Sequence, residues 1–165
     1  MRKTAIVTGG SRGIGFGIAL ELAKHGYNIA ILDVNDLEDP SRPDYKENMA
    51  KLEAAGAEYL YQKGDTRTAA DRESFVKAVV ERFGEIDVLV NNAGITRDGL
   101  MIRMKDEQWN AVIQSNLSSV FHMTSLVGAQ MMRAKAGSIV NITSISGMHG
   151  NFGQVNYTAA KAGVI

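Results

Sequence analysis

The chain has 165 residues, 45% of them hydrophobic and 22% charged, with 18 Lys plus Arg against 18 Asp plus Glu. That length and composition suit one soluble domain with a real core, and nothing in the balanced charge suggests a nucleic-acid or anionic-membrane partner. The absence of cysteine excludes disulfides and thiolate metal sites, and the expected compartment is a reducing cytoplasm.

The N-terminal apolar stretch from Thr4 to Val7 is too short for a signal-peptide core, and no run approaches a membrane span. Ala5-Ile6-Val7 reads as a buried strand ending in glycines. Ile14, Ile18 and Leu22 recur at i, i+4 and i+8 and predict a helix closing at His25-Gly26, where glycine suits the left-handed position after a helix end. Ile29 to Leu32 is a second strand ending at Asp33. The acidic segment Asp36 to Pro43 carries both prolines of the chain and reads as a surface loop. A helix follows from Pro43 or Asp44 to about Ala55, ended by Gly56, and Tyr59-Leu60-Tyr61 is a third strand. Phe75, Val76, Val79, Val80 and Phe83 stripe a helix that ends at Gly84, and Ile86 to Val90 is a fourth strand.

One long helix is predicted from about Asp106 to Arg133. Trp109, Val112, Ile113, Leu117, Val120, Phe121, Leu126 and Val127 make it apolar on more than one face, so burial on several sides is expected. Met101, Met104, Met131 and Met132 read as adaptable packing. His25 and His122 are placed at a helix end and on a helix surface. Ser138 to Ile142 is a fifth strand, and a final helix starts near Gln154. Strands alternating with helices predict parallel βαβ units with right-handed crossovers, in one three-layered α/β domain over residues 1–165 with a doubly wound parallel sheet.

The turn from Thr8 to Gly15 sits between the first strand and the first helix. Gly9, Gly13 and Gly15 permit a tight turn and a close backbone approach, while Ser11, Arg12 and Ile14 complete a surface on which a pyrophosphate meets the free N–H groups of the helix. Asp33, eighteen residues after Gly15, closes the second strand and can accept hydrogen bonds from adenosine ribose hydroxyls. It repels a 2′-phosphate and so favours NAD(H), although it could simply cap a loop. Arg12 points the other way, because its guanidinium could pair with a 2′-phosphate and admit NADP(H). Asp65 and Thr66 follow the third strand, where Asp65 either meets the adenine edge or only opens a helix. Asn91-Asn92-Ala93-Gly94 ends the fourth strand; Asn92, Ala93 and Gly94 let a cofactor pass over it.

Tyr157 and Lys161 lie four residues apart, on one face of the last helix. A tyrosine hydroxyl ionises at about pH 10, and moving it three units towards neutrality takes about 4 kcal/mol of differential stabilisation, which a close ammonium helps to supply. The pair reads as a tuned general acid/base, against the plainer reading of two exposed side chains on a solvated face.

Thr8-Gly9-Gly10-Ser11-Arg12-Gly13-Ile14-Gly15, Asn91-Asn92-Ala93-Gly94, Asn116, Ser144, and Tyr157 with Lys161 together resemble the short-chain dehydrogenase/reductase family over essentially the whole chain. The resemblance implies a Rossmann-type fold, a nicotinamide cofactor and a catalytic set of Asn116, Ser144, Tyr157 and Lys161. In that set Tyr157 exchanges the proton and Lys161 bonds the nicotinamide ribose. Ser144 donates to the carbonyl oxygen, and Asn116 holds a water that links Lys161 to solvent. His149, between Ser144 and Tyr157, is a substrate contact or merely solvated.

Asn91 to Asp98, Met104-Lys105-Asp106 with Trp109, and Gly150 to Gln154 are similar to the 3-oxoacyl-[acyl-carrier-protein] and acetoacetyl-CoA reductases of that family. This implies reduction of a 3-oxoacyl thioester and a homodimer or homotetramer built on the last two long helices. Asp33 and the long segment Asn35 to Asp44 depart from that group. They keep open an NAD-dependent alcohol, polyol or sugar dehydrogenase. Family members continue beyond the helix that carries Tyr157. By that comparison the fold is truncated after the fifth strand and the start of the catalytic helix, and an inactive nucleotide-binding or assembly module is a further alternative.

Overall fold

A computed structural model describes residues 2–165. Five parallel strands lie in the order β3-β2-β1-β4-β5: β1 Thr4–Thr8, β2 Asn28–Asp33, β3 Tyr59–Lys63, β4 Val88–Asn91 and β5 Ser138–Asn141. The helices between them are α1 Gly13–Lys24, α2 Asp44–Ala54, α3 Ala69–Phe83, α4 Asp106–Ile113 and α5 Ser119–Ala134, with α6 Ile145–His149 and α7 Val155–Val164 after β5. This is the expected Rossmann-like α/β sheet.

Strand periodicity explains the layers. Successive side chains of a strand point to opposite faces. Ile6, Ala30, Leu32 and Leu89 pack with Phe75 and Val79 of α3 and Met123 and Val127 of α5. Ala5, Val7, Ile29, Ile31 and Val90 pack on the other side with Ala19 and Ala23 of α1 and Met49 and Leu52 of α2. β1 and β2 are buried along their whole length, as a strand covered on both faces must be. The chain moves outward from β1 through β2 to β3, then returns to the other side of β1 for β4 and β5. The reversal opens a crevice at the carboxyl ends of β1 and β4, where ligands of such sheets bind.

Several expectations need correction. The predicted helix from Asp106 to Arg133 is interrupted by a π turn at Gln114–Ser118. There Asn116 Nδ2 donates to the Val112 carbonyl at 2.9 Å and Ser119 Oγ to the Ser115 carbonyl at 2.6 Å, and such side-chain bonds loosen helical backbone pairing. One extra residue in the turn rotates all later positions by about 100°. Part of the multi-sided apolar pattern is therefore two one-sided helices out of phase. Val112 and Val127 are buried, whereas Phe121 is 67% exposed.

Ile14 lies on the exposed side of α1, off the buried face. Met101 and Met132 are exposed, and of the four methionines only Met131 is core. β4 begins at Val88 although Ile86 is buried. Short α6 follows Ser144, with His149 exposed at its end. β5 is exposed at every residue. Among the described residues no helix is long and apolar enough to cross a membrane.

Candidate active site

The glycine-rich turn has two different requirements for glycine. Gly13 has φ +57°, and a Cβ there would meet nothing within 4 Å, so the conformation alone demands it. At Gly15 the demand is space: a Cβ would lie 2.3 Å from the Gly9 carbonyl oxygen and 2.4 Å from Asn92 Nδ2. Arg12, in extended conformation, precedes α1, and its guanidinium is exposed. No acidic side chain occupies the first turn of α1, so that end keeps its positive dipole uncompensated.

A cleft of about 610 Å³ opens at the strand ends. Gly9, Arg12, Ile14 and Gly15 line it from the turn. Asp33, Asp65 and Thr66 line it from the ends of β2 and β3, and Asn92, Ala93 and Gly94 from the end of β4. Gly13 is not on its wall, and neither is Ser11, which is fully buried beneath it.

The Asp33 carboxylate is 6% exposed and holds the turn, accepting from the Ser11 N–H at 3.0 Å and the Asn35 N–H at 3.2 Å. Asp65 is clamped by Arg67, whose hydrogen bonds hold its carboxyl below the usual carboxylate range. The carbonyl of buried Thr66 accepts from Arg72 Nη1 at 2.7 Å. Asn92 Nδ2 donates to the carbonyls of Thr8 at 2.9 Å and Gly9 at 3.1 Å, and Thr8 Oγ1 accepts from the N–H groups of Asn92 and Ala93 at 3.0 Å each. Asn92 thus ties the end of β4 to β1, and Asn91 ties it to β5, its Nδ2 donating to Asn141 Oδ1 at 2.8 Å.

Asn116, Ser144, Tyr157 and Lys161 are not on the wall of this cleft; Tyr157 is half-buried on α7, and Lys161 one turn later is buried. Lys161 Nζ lies 5.7 Å from the centre of the Tyr157 ring and donates to the Ile142 carbonyl at 2.6 Å. Burial pushes the Lys161 pKa down. Ser144 caps α6, its Oγ accepting from the Ser146 N–H at 3.2 Å. Gly147 seats α6 against α7, since a Cβ there would lie 2.7 Å from the Lys161 backbone carbon. Asn116 is fully buried in the π turn. Its Nδ2 donates to the Ile95 and Val112 carbonyls at 2.9 Å each, while its Oδ1 has no partner among the described residues.

Against this geometry, a family model described as short chain dehydrogenase matches residues 3–165. The chain belongs to the short-chain dehydrogenase family. It is 45% identical over 165 residues to a 3-oxoacyl-[acyl-carrier-protein] reductase FabG of Staphylococcus epidermidis, covering 100% of this chain and 66% of the relative. A protein of the same name from Chlamydia muridarum is 45% identical over 165 residues, covering 100% of this chain and 64% of the relative. A 3-oxoacyl-[acyl-carrier-protein] reductase of Synechocystis is 46% identical over 163 residues, covering 99% and 64%. The chain thus spans just under two thirds of the length of these relatives.

This family member relies on residues that sequence reasoning missed. Asn156 is fully buried; its Nδ2 donates to the Arg97 carbonyl at 2.9 Å and its Oδ1 accepts from the Tyr157 N–H at 2.8 Å. Gln154 Nε2 reaches Asp98 Oδ2 at 2.9 Å. Together they lace the segment after β4 to the start of α7 and so set where Tyr157 begins. An amide directly before the tyrosine was the available signal. Buried Asn48 and Arg72 gave none, because their partners are backbone carbonyls, that of Asn48 37 residues away, and a carbonyl carries no residue-type signal.

The Lys161 environment has a pH consequence. The folded state holds this proton less tightly than the unfolded chain, whose value is 10.5. Below the depressed folded value both states are charged and the burial cost is fully present; it disappears as pH rises through that value towards the unfolded one. Relative to a Lys161→Met variant, the wild type is therefore expected to gain stability across that window in urea titrations. A difference independent of pH would show that burial does not perturb Lys161.

Proposed function

We propose that this chain carries the cofactor site and acid/base pair of a nicotinamide-dependent oxidoreductase, acting between a secondary alcohol and a carbonyl. The preferred substrate is a 3-oxoacyl thioester. The observation that carries this reading is the buried ammonium of Lys161, without a carboxylate partner among the described residues, beside the half-buried Tyr157. A charge so placed costs stability and is retained where it has work to do.

The cleft fits a dinucleotide. Its glycine-walled end offers helix N–H groups and a favourable dipole to a pyrophosphate. The Asp33 oxygens are fixed by Ser11 and Asn35, and a carboxylate has further lone pairs for ribose hydroxyls. Gly9, Ser11, Arg12, Gly13, Ile14, Gly15, Asp33, Asp65, Thr66, Asn92, Ala93 and Gly94 are the proposed cofactor residues, with Ser11 and Gly13 acting on the shape of the turn from outside the cleft. Asp33 favours NAD(H); exposed Arg12 is the residue that would admit NADP(H).

The bound nicotinamide supplies or accepts a hydride. Tyr157 then gives the substrate oxygen its proton from Oη, or takes it in the reverse direction. Lys161 stabilises the negative charge left on that oxygen of Tyr157, and Ser144 donates its hydroxyl hydrogen to the substrate oxygen as charge develops there. Asn116 anchors the segment after β4 through the Ile95 carbonyl and keeps Oδ1 as a free acceptor for a water.

The names of the relatives support the acyl reading, and Asp33 supports the alternative of an alcohol, polyol or sugar dehydrogenase. The exposed Phe121 and Trp109 support self-association through the α4–α5 face. One experiment separates these readings. Acetoacetyl-CoA, a 3-oxoacyl carrier-protein thioester and simple alcohols and sugars are assayed with NADH, NADPH and their oxidised forms, on protein sized by light scattering. The expected result is thioester reduction with NADH by a dimer or larger assembly. Oxidation of sugars alone would remove the acyl reading, and cofactor binding without turnover would leave a binding module.

A further inference from the structure

Ser11 is gripped at all three of its polar backbone and side-chain atoms, and one grip comes from well outside the cleft. Its N–H donates to Asp33 Oδ2 at 3.0 Å, its Oγ accepts from Asn35 Nδ2 at 2.8 Å, and its carbonyl accepts from Asn48 Nδ2 at 3.0 Å. Asp33 and Asn35 line the cleft; Asn48 does not. Asn48 sits on the buried face of α2 beside Tyr45, Met49 and Leu52 and is itself 8% exposed. A polar amide on such a face costs free energy unless its hydrogen bonds are made. Its Nδ2 spends a donor on Ser11, and its Oδ1 accepts from Lys51 Nζ at 3.3 Å.

The Ser11 carbonyl belongs to the peptide that leads into Arg12, whose own carbonyl accepts the first helical bond of α1 from the Phe16 N–H at 3.1 Å. Holding that carbonyl fixes the plane of the peptide, and with it the direction of the N–H groups that follow. A turn with glycine at positions 9, 10 and 13 has little stiffness of its own, and a ligand that had to order it would bind more weakly for doing so.

We propose that Asn48 is a positioning residue for dinucleotide binding, holding the glycine-rich turn in its binding shape from α2 before any ligand arrives. This rests on the reading of that turn as the pyrophosphate site. NADH and NADPH share the pyrophosphate and differ only at the adenosine 2′ position, which Asp33 and Arg12 flank. Asn48 therefore acts on both cofactors alike.

The test uses Asn48→Asp, which keeps size and shape and removes the donor, and Asn48→Leu, which keeps the branching and removes both polar atoms. Asn48→Ala replaces either one that does not fold. Dissociation constants for NADH and NADPH are measured by calorimetry, and amide hydrogen exchange of residues 9–15 is followed without ligand. Both constants should rise about ten-fold, the scale of one buried hydrogen bond, with their ratio unchanged. Exchange in residues 9–15 should accelerate while that of β1 does not. Wild-type affinity in the variants overturns the proposal and leaves the cofactor reading intact, and so does a shift in the NADH to NADPH ratio, which would place Asn48's effect at the ribose. A wild type that binds neither dinucleotide overturns the cofactor reading and this proposal with it.

Discussion

Tyr157→Phe is expected to lower turnover by about 10²- to 10⁴-fold, the usual contribution of a positioned acid or base, while cofactor affinity stays near that of the wild type. The substitution keeps the ring and removes only the hydroxyl group. Lys161 keeps its bond to the Ile142 carbonyl, which does not involve the tyrosine hydroxyl, so the ammonium stays in place. Asn156 still accepts from the backbone N–H of residue 157, so the start of α7 should not shift. Steady-state kinetics on the best substrate of the panel, with a parallel cofactor titration, measure both halves of the expectation. Activity within a few-fold of wild type would mean that another group carries the proton.

The second large effect is at Gly15. Gly15→Ala introduces a Cβ within 2.4 Å of both the Gly9 carbonyl oxygen and Asn92 Nδ2. Neither can retreat cheaply: Gly9 is backbone at the end of β1, and Asn92 Nδ2 already bonds two carbonyls there. We expect a destabilisation of about 1–3 kcal/mol from overpacking, with dinucleotide affinity lost because the turn must move off α1. Gly17→Ala is the control. It lies on the same helix, exposed, with nothing within 4 Å of a new Cβ, and should stabilise by about 0.5–1 kcal/mol through helix propensity. Denaturant midpoints of the two variants should therefore move in opposite directions. Equal shifts would mean that the contact at Gly15 is not tight.

The comparison of sequence with structure divides by range. The glycine turn, Asp33, the asparagine pair and the Tyr157–Lys161 pair were legible because each signal lies within one element or at one junction. Their spacing is read from local geometry: four residues on a helix, or a strand end followed by glycines. The interruption of the helix at Gln114–Ser118 was not legible, because a π turn is decided by which carbonyls the Asn116 side chain can reach, and one of them, Ile95, belongs to another segment. Ile14 was assigned to the buried face because it shares the period of Ile18 and Leu22. The first turn of α1 stands instead at the carboxyl ends of the strands, where Ile14 lines an open cleft and stays 71% exposed.

The sequence by itself determined the parallel α/β architecture and which residues stand at the carboxyl ends of the strands, since periodicity and glycine placement are properties of neighbouring residues. Only the tertiary structure decided how those residues are held. It buried Ser11 under the cleft with Asn48 on its carbonyl, and turned the Lys161 ammonium onto the Ile142 carbonyl. Each of these is a hydrogen bond whose partner is chosen by packing. Residue type states what a group can bond, and only the fold states what lies within 3 Å of it.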